Sequence, residues 1–154
     1  MTPRSRIFSG LFGAVFGLIS VSSGFAMTDR PLTVKTDHGT PYVSGGVSMG
    51  ERQTLRQMTK EDNLQVIFAA RNRDYLSDVA VQITDNKGHE VLQTVTQGPW
   101  LFTRLPAGKY TIRATTKGRS QGAVVEAPAT GQTRVYLTWS DAILQSPHHS
   151  VVKG

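Results

Sequence analysis

From Leu64 to Trp139 apolar side chains return at every second residue, and this rhythm constrains the fold more than any other feature of the chain. Leu64, Val66, Phe68 and Ala70 keep it, as do Val79, Val81 and Ile83, then Tyr110, Ile112 and Ala114, then Val135, Leu137 and Trp139. Successive side chains of a strand point to opposite faces, so a period of two marks strands buried on one face. Weaker runs at 90–96 and 121–127, and a short one at Leu101–Phe102, fill the gaps. Asp85-Asn86-Lys87-Gly88, Gln97-Gly98-Pro99, Pro106-Ala107-Gly108, Lys117-Gly118 and Thr130-Gly131 punctuate the runs with residues that tolerate tight turns. Short strands at such spacing predict a mainly β fold, a single antiparallel β-sandwich of about seven strands. No interval is long and periodic enough for a helical crossover between parallel strands.

One short helix precedes the strands. Ser48 followed by Glu51 is a capping-box pattern, in which the Ser oxygen takes one orphan amide and the Glu reaches back to the cap amide. The stretch at about 49–60 is rich in good helix formers. Its apolar stripe is only Leu55 and Met58, so this helix must dock on something else. Residues 27–41 show little periodicity and read as a flexible leader, and 140–154 as a disordered tail.

The first 26 residues read as a helical signal peptide. Arg4 and Arg6 form a positive start, Ile7 to about Val21 is apolar, and Gly24 and Ala26 precede the expected cleavage site. The apolar run is shorter than the ~20 residues of a membrane span, so no stable span is expected after processing. The expected location is periplasmic or secreted. Cleavage leaves 128 residues with 15 basic and 11 acidic side chains. With 38% hydrophobic and 18% charged residues, wholesale disorder is excluded. The absence of cysteine excludes a disulfide scaffold, a zinc-thiolate site, a cysteine nucleophile and a lipoprotein anchor. Arg52, Arg56, Lys60, Arg71 and Arg73 are the nearest thing to a basic cluster. Glu51, Glu61, Asp62 and Asp74 interleave with them, which predicts a mixed solvated face and no nucleic-acid partner.

The run YLSDVAVQITDNKGHEVLQTVTQGPWLFTRLPAGKYTIRA resembles carboxypeptidase regulatory-like domains, the prealbumin-like (transthyretin-like) sandwich. The likeness is carried by Val79-Val81-Ile83 with Asp85 and Gly88, by Gly98 to Phe102, and by Leu105-Pro106-Gly108-Tyr110-Ile112. YVSGGV, the capped helix, NLQVIFAARN and YLSDVAVQITD in that order are similar to small exported proteobacterial proteins. The resemblance spans about 42–139 and implies an accessory or binding module, since the regulatory-like domain is the non-catalytic part of the carboxypeptidases. The hydrolase branch of this fold ends in a Tyr-Arg-Gly-Ser-type tetrapeptide, whereas this sequence ends Val151-Val152-Lys153-Gly154 and shows no matching His-Arg-His set.

No convergent chemistry emerges from the remaining residues. His148 and His149 are adjacent and so point in different directions, while His38 lies in the leader and His89 next to a turn, without a visible carboxylate partner pattern. No G-x-S-x-G elbow is present. Asp85 is expected to cap its turn, with Asp78 and Glu90 on solvent-facing strand positions. No catalytic residue, metal site or cofactor is therefore predicted. Phe68, Tyr110 and Trp139 are in phase with apolar neighbours and belong to the core. Trp100, after Gly98-Pro99, either folds over an open sandwich end or joins Tyr75 as a surface platform. Tyr136 and Arg134 share the opposite face of their strand, expected to lie under the helix or to serve as a docking surface. Trp100, Tyr75, Tyr136 and Arg134 are thus the candidate binding surface. The leading expectation is a non-catalytic module for another envelope component, most readily a protein. A carbohydrate-binding module is the alternative, and a small hydrolase comes third. Unpaired strand edges would also permit a homodimer.

Overall fold

The computed structural model describes residues 31–140. The segment expected to be a signal peptide and the tail histidines His148 and His149 lie outside them. Among the described residues nine strands and one helix follow in the order β1 (Lys35–Asp37), β2 (Thr40–Gly45), α1 (Met49–Met58), β3 (Leu64–Ala70), β4 (Ala80–Asp85), β5 (Glu90–Val95), β6 (Trp100–Thr103), β7 (Gly108–Thr116), β8 (Arg119–Ala127) and β9 (Thr133–Trp139). They build a five-stranded sheet ordered β1-β2-β6-β3-β9 and a four-stranded sheet ordered β5-β4-β7-β8. The molecule is mainly β, two sheets forming a sandwich.

The alternating residues fill the space between the sheets. Leu64, Val66 and Phe68 of β3 meet Val81 and Ile83 of β4, Tyr110 and Ile112 of β7, and Leu137 and Trp139 of β9, all buried. Two differences from the sequence reading stand out. The span expected to be a leader supplies β1 and the start of β2, a hairpin turned at His38 and Gly39, both at positive φ. Its three-residue strand is too short to show a period. The sheets are also not wholly antiparallel, because β9 pairs parallel to β3 from Leu64↔Thr133 to Ala70↔Trp139. No helical crossover is needed, since the whole second sheet lies between these two strands in the chain.

β3 is buried along its entire length. One face meets the main core. Over the other, α1 adds a second, smaller core of Val43, Leu55, Ile67, Trp100 and Phe102. The helix begins as expected at Ser48, whose Oγ accepts from the Glu51 amide at 3.1 Å. The return half of the box differs. Glu51 Oε2 accepts from the amides of Gly46 (3.0 Å) and Val47 (2.9 Å) rather than from Ser48. Gly46 at φ +92° turns the backbone so that these two N–H groups face the carboxylate. The docked stripe also differs: Leu55 and Thr59 are buried, whereas Met58 is 44% exposed.

Candidate binding groove

α1 crosses the outer face of the larger sheet over β2 and β6 and stops short of β9. A groove of about 380 Å³ remains between the C-terminal end of the helix and that edge strand. Strand registry dictates its floor and one wall. The outward residues of β3 are Gln65 and Ile67. Phe102 and Trp100 of β6 are paired beside them on one side, and Arg134 and Tyr136 of β9 on the other. Arg56, Thr59 and Lys60 form the opposite wall, and Gln132 and Gly131 close one end.

All four candidate residues read from the sequence line this groove. Trp100 sits in β6 and is only 6% exposed, so the free surface platform is not formed and the ring belongs to the floor. It packs on Gly46, where a Cβ would lie 3.1 Å from its Cγ, and edge-on to Phe102. Its indole Nε1 is buried and lacks a hydrogen-bond partner, a condition that costs about 1–3 kcal/mol. Tyr75 follows β3 in a segment folded back on it by an Ala69–Tyr75 bridge and the Leu76 N–H donating to Phe68 O at 3.0 Å. It is about half exposed, with the Arg52 guanidinium stacked 4.5 Å from its ring centroid. Tyr136 is 61% exposed and is not covered by α1, because the helix ends before it reaches β9. Arg134 Nε donates to Gln65 Oε1 at 2.7 Å, which fixes the plane of its guanidinium.

The cations were visible in the sequence but not their separation from the acids. Arg52, Arg56 and Lys60 are spaced four apart, one side of a helical turn sequence. Arg52 and Arg56 place their guanidiniums 5.5 and 5.4 Å from the Trp100 ring. Glu51 is turned onto the Gly46 and Val47 amides, and Glu61 pairs with Arg104 at 3.3 Å. The interleaved charges are thus sorted by direction, and no Asp or Glu lines the groove. Among the described residues, Arg56, Lys60 and Arg134 have no carboxylate within ion-pair distance.

The groups with displaced proton affinity lie elsewhere. Asp85 is held below the usual carboxylate range by the amides of His89 and Lys87, the turn-capping role expected of it. Tyr110 is raised by burial, with the Asp85 charge adding to it, and Asp62 is raised by burial. The sequence reading gave His38 and His89 no carboxylate partner. Instead His38 Nδ1 lies 2.7 Å from Asp37 Oδ2, and His89 Nδ1 lies 3.2 Å from Asp85 Oδ2. Both pairs form within turns, at one- and four-residue separations that a search for strand or helix spacing passes over. No three His, Asp or Glu side chains among the described residues are placed to hold a metal ion, and no helix among them is long and apolar enough to cross a membrane. Compared with known proteins, the sequence matches no family model and no curated protein.

Proposed function

We propose that the chain is an exported, non-catalytic β-sandwich module, periplasmic or secreted, that holds another component of the cell envelope in the groove between α1 and β9. The observation that carries this reading is the convergence of Tyr75, Trp100, Arg134 and Tyr136 on one concavity. Of the two partner classes the sequence admits, polysaccharide suits this concavity better than protein. Long polar side chains rim it, exposed tyrosine rings flank it, and its apolar floor is mostly buried. Saccharides are held in such places by ring faces together with convergent hydrogen-bond donors, whereas a protein partner needs a larger contact, typically ~800 Å² on each side. The resemblance to an accessory domain of carboxypeptidases supports a non-catalytic module without choosing between the two partner classes.

Co-sedimentation with separated polysaccharide and protein fractions of the envelope tests the proposal. Wild-type protein should be retained by the polysaccharide fraction, and Tyr136→Ala should weaken retention by about tenfold, the loss of one well-placed contact. Retention of the variant equal to wild type overturns the groove as the binding site. Retention by the protein fraction alone replaces the saccharide with a protein partner.

A further inference from the structure

We infer that the groove selects an acidic saccharide, a polymer or oligomer whose sugar rings carry carboxylates; this rests on the saccharide reading above. The charged side chains of its walls are all cations. Arg56 and Lys60 stand on one side, Arg134 on the other, and no acid lies between them. Cations left without carboxylate partners around a concave surface raise the local concentration of anions. A carboxylate entering there meets charge-assisted hydrogen bonds, the strongest available to it.

Arg134 is the best prepared of the three. Gln65, only 2% exposed, takes the Nε hydrogen through its side-chain oxygen. The guanidinium is thereby oriented, and its terminal amino groups remain for a bidentate carboxylate. Such a fork is a feature that lysine does not offer. Tyr136, two residues along the same strand and on the same face, provides a ring surface beside that fork. A carboxylate next to a ring face is the combination a uronic acid presents within one residue. An acidic peptide would share the charge but not the flat, hydroxyl-edged ring.

The test uses protein purified after expression of the full chain and three probes: oligogalacturonate, the same oligomer reduced at its carboxyls to oligogalactose, and oligoglutamate. Isothermal titration should show the uronate bound at least tenfold more tightly than its reduced form. Arg134→Gln should reduce uronate affinity by about tenfold and weaken oligogalactose binding several-fold less, so that the preference for the uronate shrinks. Added salt should weaken uronate binding and spare the neutral oligomer. Equal affinity for the uronate and its reduced form overturns the acidic specificity and leaves the saccharide reading standing. Oligoglutamate bound as tightly as the uronate overturns both in favour of plain anion capture. No binding to any of the three overturns the inference as well, and the fraction assay above then decides the broader proposal.

Discussion

Asn63 ties two loops to the start of β3 through a single amide. Its Nδ2 donates to Leu105 O at 2.7 Å and Pro128 O at 2.9 Å, and its Oδ1 accepts from Leu105 N at 2.9 Å. All of this is buried or nearly so, where an unpaired polar group costs about 1–3 kcal/mol. Asn63→Ala is expected to lower stability by about 3 kcal/mol in urea unfolding. Asn63→Asp, which keeps the acceptor but loses both donors, should also destabilise. Gly98 makes a second such demand. A Cβ there would lie 2.5 Å from the Gly45 carbonyl carbon, so Gly98→Ala should force β2 and the turn before β6 apart at a cost of about 1–3 kcal/mol. Neither role was legible in the sequence. Asn63 precedes a strand with no distinguishing spacing, and Gly98 read as turn chemistry when it is close approach of two backbones. Core residues such as Phe68, Ile112 and Trp139 were legible, because a strand fixes their direction by parity alone.

The helix α1 is held at one buried point and oriented by several polar ones. Leu55 is fully buried between Val43, Ile67, Trp100 and Phe102. Leu55→Ala should cost about 3 kcal/mol, within the ~2–5 kcal/mol expected for such truncations. It should also loosen the helix from the sheet, seen as a red shift in Trp100 fluorescence with the signal of Trp139 retained. A Leu55→Ala protein whose Trp100 emission stays unshifted would show that the polar contacts alone hold the helix. The cap and the extent of α1 were readable because both are local. Its docking direction was not. The buried side runs through Arg52, Leu55 and Thr59, and Thr59 earns its place by returning its hydroxyl to Leu55 O at 2.7 Å. Hydrophobicity alone had pointed to Met58, about a quarter of a turn away from that line.

At the scale of the molecule, the two sheets are joined along both long sides. On one, Asp37 of β1 accepts from the Gln93 amide of β5 at 2.7 Å. On the other, Thr133 Oγ1 donates to Glu126 O at 2.8 Å and Trp139 Nε1 to Arg119 O at 3.1 Å, linking β9 to β8. The first seam is pH-sensitive. The hydrogen bond with His38, then that from Gln93, hold the Asp37 carboxyl below its usual range. Asp37, with Glu90 3.8 Å from the other ring nitrogen, raises His38. A lowered carboxylate stabilises the fold above its ordinary value near 4 and loses that contribution as pH falls through its lower folded value. A raised histidine contributes below about 6.5 and loses it as pH rises through its higher folded value. The difference in urea midpoint between wild type and Asp37→Asn should therefore be greatest between about pH 4 and 6.5. It should narrow on both sides, leaving at high pH the part owed to Gln93. A difference constant from pH 4 to 8 contradicts this.

The sandwich itself was legible, since strand rhythm and turn residues are properties of short windows. The groove was not, although each of its four named residues was noticed. Residues from α1, the segment after β3, β6 and β9 meet only through sheet order, and the β3–β9 partnership leaves no mark in either strand. That partnership also sets a sequence of events. Gln65 waits for Arg134, 69 residues further along the chain. A polypeptide synthesised from its N-terminus has therefore passed beyond Arg134 before the last wall arrives. Until then the cations of α1 face an open flank, and the groove has no second wall.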